Sequence, residues 1–301
     1  PALGVKKKRE IIEKLVNIKD PICMIPNLPI HYNRKANSGM EYNPQIDLIP
    51  LYADKEFGKD TLTDLLADKL NVTKENILSS DLYLTVLDRG TLVGPNKEFV
   101  MAPQIDNLEC SFGCLESLIN SSNSKSVNVC ALFDNEEIGS GTMQGAQGTM
   151  LADVLERISL SLGKSKESHL QMLANSFIVS ADNAQGFHPN HPGKYDESNP
   201  CFLNEGIVIK NAARGSYSTD AMSSAYFQKI CKKVNVKYQL NTNRSDIPGG
   251  STLGVVSIRN VSIPSVDIGL AELAMHSCYE TAGSKDLEYL ITALKEFYNT
   301  S

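Results

Sequence analysis

The chain has 301 residues, 42% of them hydrophobic, and a formal net charge of −6. That length and apolar content allow a large core, with two domains as the natural expectation. The negative balance, with no dense basic patch beyond Lys6–Arg9, argues against a nucleic-acid binder, and no apolar run is long enough to span a membrane.

In chain order, Lys6–Leu15 has helical periodicity. Ile22–Ile30 follows Pro21 and carries Pro26 and Pro29, which force extended backbone. Asp60–Leu70 has helical spacing through Leu62, Leu65, Leu66 and Leu70, and Asp81–Asp88 alternates through Leu82, Leu84 and Val86 as a strand does. Phe99–Ala102 is a short apolar strand. A helix then starts just after Asp106, marked by Leu108, Phe112, Leu115, Leu118 and Ile119. Val127–Phe133 reads as a largely buried strand. An amphipathic helix over 149–162 follows, then a strand at Ser176–Ala181. Ala221–Val234 is helical with Asp220 as its N-cap, Val261–Ile268 is a strand, and Asp286–Tyr298 is a terminal amphipathic helix. The alternation predicts a three-layer α/β/α domain over 99–301, with residues 1–98 forming a domain of different texture. Seven scattered cysteines without a CxxC pair read as reduced thiols, and with no signal-peptide pattern a cytoplasmic location is expected.

Three predicted strand exits carry acids: Asp106, the pair Glu136–Glu137, and Asp182. Such acids can be plain solvated loop. A phosphate cradle at Gly139, Gly141 and Gly145 fits poorly, because the spacing misses GxGxxG and no P-loop Lys-Ser/Thr pair follows. Neighbouring carboxylates at a buried edge need a counter-charge or must hold a proton. A divalent cation supplies that charge. His276, in LAMHS, is a fourth candidate, although a lone histidine among apolar residues is also ordinary core. Mixed carboxylate and imidazole donors suit zinc or another first-row divalent ion.

The segments APQIDN, DNEEIGS with QGAQ, SADNAQGFHPN, RSDIPGGSTLG and AMHS occur in this order, with LPIHYNR near the start. Over nearly its whole length the chain resembles the aspartyl aminopeptidase and aminopeptidase I group of dinuclear zinc exopeptidases. The resemblance implies a zinc-exopeptidase-like catalytic domain over 99–301 and part of an inserted β-rich dimerisation domain over 1–98. It also places strands, not a helix, at Lys6–Leu15. It implies that Asp106 bridges two zinc ions, that Glu137 and His276 complete one site, and that Asp182 belongs to the other. Glu136 would be the general base, taking a proton from the attacking water and passing it to the leaving amine. Asn107 and Asp134 are candidates to support the ligands.

For the substrate, His31 resembles a family histidine that reaches a neighbouring subunit's site, and is equally read as a loop histidine. His188 would line the pocket or cap a loop, Arg214 would hold an acidic side chain, and Gly249 and Gly250 would let backbone approach the peptide or make a turn. The family's His-x-Asp ligand motif is not in this sequence. One zinc site is therefore expected to be incomplete, and the first part of the catalytic domain to be missing. The family implies a homo-oligomer built from dimers, up to a dodecamer, acting on peptides. Other readings are a co-catalytic zinc deacylase or carboxypeptidase, and a non-catalytic assembly subunit of the same fold.

Overall fold

The computed structural model describes residues 2–7, 10–56, 61–122, 125–247 and 249–300. Lys8 and Arg9 of the basic run, Asp60 of the predicted helix and Pro248 of RSDIPGGSTLG lie outside them. The chain divides into two compact units, residues up to 87 and residues from 88 onward. The division falls at 87/88 rather than 98/99. The reason is a hairpin: strand Thr91–Val93 pairs antiparallel with Phe99–Ala102 and so belongs to the second unit.

In the first unit, β1 (Ala2–Lys7) and β2 (Glu10–Leu15) are antiparallel strands, where periodicity alone suggested a helix. Leu3 and Val5, two apart, point to one face and are fully buried. After the short α1 (Pro44–Asp47), helix α2 (Thr61–Leu70) sets Leu66 and Leu70 against them. β3 (Ile77–Asp81) pairs with the other side of β1, giving the order β2-β1-β3. The strand expected over Asp81–Asp88 does not form: β3 ends at Asp81. Leu82, Tyr83, Leu84 and Leu87 are exposed and unpaired, because no described strand lies beside them to complete a ladder.

The second unit carries β4 (Thr91–Val93), β5 (Phe99–Ala102), α3 (Ile105–Ile119), α4 (Met150–Ser161) and α5 (Lys166–Ala174). Next come β6 (Ile178–Ala181), β7 (Ala184–Gln185), β8 (Ile207–Asn211), α6 (Ala221–Lys233) and β9 (Tyr238–Thr242). The unit ends with α7 (Leu253–Ser257), β10 (Ser265–Gly269), β11 (Ala271–Leu273), β12 (Glu280–Gly283) and α8 (Asp286–Asn299). Asp220 caps α6 in a reciprocal capping box with Ser223, as its sequence position predicts.

Two sheets form, of order β6-β10-β8-β9 and β4-β5-β12-β11-β7. They are continuous through one parallel pair of segments. β6 runs on into β7 and β10 into β11, with Asp182 N donating to Ile268 O, Ala184 N to Leu270 O and Gly186 N to Glu272 O. Alternation along β10 sorts the layers. Val266 and Ile268 join the core with α3, α6 and α8, while Asp267 faces the other side and accepts from Thr252 Oγ1, at the start of α7, at 2.8 Å.

Two sequence expectations change here. Residues 126–133 form no strand. Val127 and Leu132 are more than half exposed, and the segment is held by Asn128 Nδ2 donating to Tyr298 O at 2.9 Å. No described strand lies beside it to pair with. The three acidic exits also do not leave one parallel sheet: Asp106 follows an antiparallel strand, Asp182 sits between β6 and β7, and Glu136–Glu137 follows the unpaired segment.

Candidate metal centre

Asp106, Glu137 and His276 converge. Each offers one ligand atom, and the three atoms lie within 4.8 Å of one another. His276 Nε2 is 3.1 Å from Asp106 Oδ2 and 3.0 Å from Glu137 Oε2. Local backbone accounts for each placement. Asp106 opens α3 with non-helical dihedrals, so its side chain leaves the helix axis where β5 ends. Glu136 and Glu137 share a single 3₁₀ turn between Asn135 and Gly139, both at positive φ. Such a turn separates neighbouring side chains by about 120°, so the two carboxylates can serve different partners. His276 sits in the turn between β11 and β12 with φ of 64°.

The group is strongly anionic. The Asp106 side chain is 5% exposed, and its carboxyl is pushed up to about 7 by burial first, then by Asp182 and Glu137. Its Oδ1 is buried with no hydrogen-bond partner. Glu136 is half-buried and also raised, by burial and then Asp182. A crowded set of carboxylates with an unsatisfied buried oxygen and an imidazole edge fits a divalent cation, and the donor types fit zinc.

Asp182 faces Asp106 electrostatically but is not part of the three-atom group; its Oδ2 lies 3.7 Å from Lys210 Nζ. The supporting residues split. Asn107 Nδ2 donates to Ala181 O at 3.0 Å, tying the Asp106 turn to the strand that delivers Asp182. Asp134 instead closes its own turn, accepting from Asn135 N at 2.7 Å.

None of the substrate candidates is among the three converging ligand residues. His188 is half-buried, accepts from Asn190 N at 3.2 Å and lies tilted against His191 with ring centroids 4.8 Å apart, the loop-capping arrangement. Arg214 is exposed and donates to Ser245 O at 3.1 Å. Gly249 and Gly250 are exposed in the loop before α7. His31 lies in an exposed turn of the first unit, whereas the metal group is built wholly within the second.

Four charged residues were not singled out from sequence. Lys210 is 2% exposed and donates to Asn183 O at 2.6 Å. Glu272 and Glu109 both accept from Asn183 Nδ2, at 3.2 and 3.1 Å. Glu280 is buried and accepts from the backbone of Asp106 and His276. For Lys210 and Glu272 the available signal was a charge inside an apolar strand, IVIKN and LAEL.

Burial is the first cause raising Glu272 to about 9 and Glu109 to about 7, from an ordinary 4.5. The folded chain therefore binds more protons than the unfolded chain between those values, and stability falls as pH rises through that window. Metal-free protein should be more stable at pH 5 than at pH 9, by on the order of 2–4 kcal/mol. Glu272→Gln should flatten much of the slope, which calorimetry at pH 5, 7 and 9 measures.

Residues 2–298 match the family described as aminopeptidase I zinc metalloprotease (M18). The chain belongs to the M18 family. Among its relatives, the probable M18 family aminopeptidase 2 of Clostridium novyi is 45% identical over 289 residues, covering 95% of this chain and 67% of that protein. The probable M18 family aminopeptidase 2 of Borreliella burgdorferi is 35% identical over 293 residues, covering 97% and 68%. In fold, the M18 chain matches a chain of the Ape4–Nbr1 complex solved by cryo-EM, with TM-score 0.91 and 33% identity, over 99% of this chain and 61% of that one. Crystalline prApe1 matches with TM-score 0.89 and 27% identity, over 99% and 68%. The S. cerevisiae mApe1 dodecamer matches with TM-score 0.80 and 27% identity, over 99% and 67%. The chain thus spans only part of the length of each relative. Its mixed α/β architecture is the fold of these M18 structures.

Proposed function

We propose that this chain carries the metal centre of a metalloaminopeptidase that removes N-terminal residues from peptides. The observation that carries the reading is the convergence of Asp106, Glu137 and His276 beside the unused carboxyl of Glu136. Asp106, Glu137 and His276 would hold one zinc, and Asp106 together with Asp182 would contribute to a second ion. When bound, zinc polarises the scissile carbonyl and makes water a better nucleophile at neutral pH. Glu136 takes one proton from the attacking water as its oxygen bonds to the carbonyl carbon. The same carboxyl returns that proton to the peptide nitrogen as the C–N bond breaks, releasing a free amine and a carboxylic acid, which then loses its proton to solvent.

The acidic surroundings favour a substrate with a cationic α-amine over an N-acylated one, which supports aminopeptidase over deacylase chemistry. His188 and Arg214 are the proposed peptide contacts, with Gly249 and Gly250 admitting the backbone. We also place the protein in the cytoplasm, and we read it as a homo-oligomer, the latter supported by the dodecameric relative.

A panel of aminoacyl anilides and their N-acetylated counterparts tests the reading. Zinc-dependent cleavage confined to the free-amine series is expected. Equal cleavage of the blocked series would transfer the site to another zinc hydrolase class.

A further inference from the structure

Glu280 stands outside the ligand group yet touches two of its members through their backbone. One carboxylate oxygen accepts from Asp106 N at 3.0 Å and the other from His276 N at 2.7 Å. The residue is 2% exposed, so both bonds are made where water competes little. Its place in the fold explains the reach. Glu280 opens β12 directly opposite Ala102, the last residue of β5. β5 leads into the Asp106 turn, and β12 is entered from the His276 turn. The carboxylate therefore sits where both ligand-bearing turns leave the sheet.

The His276 turn needs such a tether. Ala274 and His276 hold φ of 62° and 64°, a left-handed conformation that costs a non-glycine residue free energy unless its surroundings over-determine it. The His276 side chain is 61% exposed, so side-chain packing does little to orient the imidazole. Apart from the two carboxylates its Nε2 meets, His276 is held through its backbone, and Glu280 bonds that backbone. We propose that Glu280 is a positioning residue of the metal centre, clasping the backbones of Asp106 and His276 so that their side chains keep a spacing that accepts a divalent cation. The inference rests on the proposed reading of that centre as a metal site.

Zinc affinity, measured by competition with a chromogenic chelator, tests it in four proteins: wild type, Glu280→Gln, Glu280→Asp and Glu272→Gln. Gln at 280 keeps the volume but exchanges one acceptor oxygen for an NH₂ group, so one of the two N–H bonds is lost. Asp keeps the carboxylate but is one methylene shorter and reaches at most one of the two N–H groups. Both should bind zinc ~10–100-fold more weakly, the range for residues that support a ligand. Glu272→Gln, an equally buried change whose hydrogen bond is to Asn183 and not to a ligand, should stay within about threefold of wild type. Cobalt(II) at saturation adds a readout that loss of stability alone does not move. The visible bands should shift in Glu280→Gln and Glu280→Asp and match wild type in Glu272→Gln. Wild-type affinity and bands in either Glu280 variant would overturn the positioning role while leaving the metal site standing. Absence of zinc and cobalt binding by the wild type would overturn both.

Discussion

Glu136→Gln should abolish peptide turnover while leaving zinc bound. Glu136 is absent from the converging ligand atoms, which come from Asp106, Glu137 and His276, so amidation removes no donor from the cation. Its own carboxyl is raised by burial and by Asp182, so it is a site where a proton can reside during the reaction. An amide of the same shape accepts no proton at neutral pH. Loss of a positioned general base costs ~10²–10⁴-fold in rate. Steady-state hydrolysis of an aminoacyl anilide, with zinc content measured on the same sample, gives the comparison. Substantial residual turnover would remove Glu136 from the role of base; loss of zinc would make it a ligand.

Asp106→Asn should separate function from stability in opposite directions. Asp106 is buried among Asp182 and Glu137, with one oxygen that has no hydrogen-bond partner. Without a cation, a charge there is a liability, since burial and like charges both oppose it. The amide keeps the shape and removes the charge. Metal-free Asp106→Asn should therefore melt higher than metal-free wild type, by about 1–2 kcal/mol of stability, or ~2–4 °C per kcal/mol for a unit of this size. The same change should weaken zinc by more than ~100-fold, beyond the loss seen when only a supporting residue is altered. Lower melting of the metal-free variant would mean that the crowding around Asp106 is relieved by something other than a cation.

The sequence was most informative where a local pattern and its physical cause coincide. Asp220 at the head of an apolar-periodic run became the N-cap of α6, and the run from Leu287 to Phe297 became α8, because capping and a 3.6-residue stripe are decided within a few residues. It was least informative where the cause is remote. Lys6–Leu15 has a spacing that suits either a helix or a strand; pairing of Glu10–Leu15 with Ala2–Lys7 settles it, and β3, some 70 residues on, backs that hairpin by pairing with Ala2–Val5. Val127–Phe133 carries the composition of a buried strand, yet a strand exists only through its neighbour.

The site shows the same division. The acids at 106, 137 and 182 and the imidazole at 276 were visible as residue types and as family motifs. That Asp106, Glu137 and His276 meet while Asp182 pairs with Lys210 depends on long-range strand pairing, of β12 with β5 and of β10 and β11 with β6 and β7. Glu280 was hidden for a related reason. Its importance lies in two backbone N–H groups, one of them 174 positions away, and no side-chain pattern announces a bond to backbone.

The central claim is that Asp106, Glu137 and His276 share one divalent ion. Anomalous diffraction at the zinc edge, from crystals grown with zinc, tests it most directly. A peak ~2.0–2.2 Å from His276 Nε2 and from carboxylate oxygens of Asp106 and Glu137 is the predicted result. Zinc bound elsewhere, with those three side chains still paired only to each other, would contradict it.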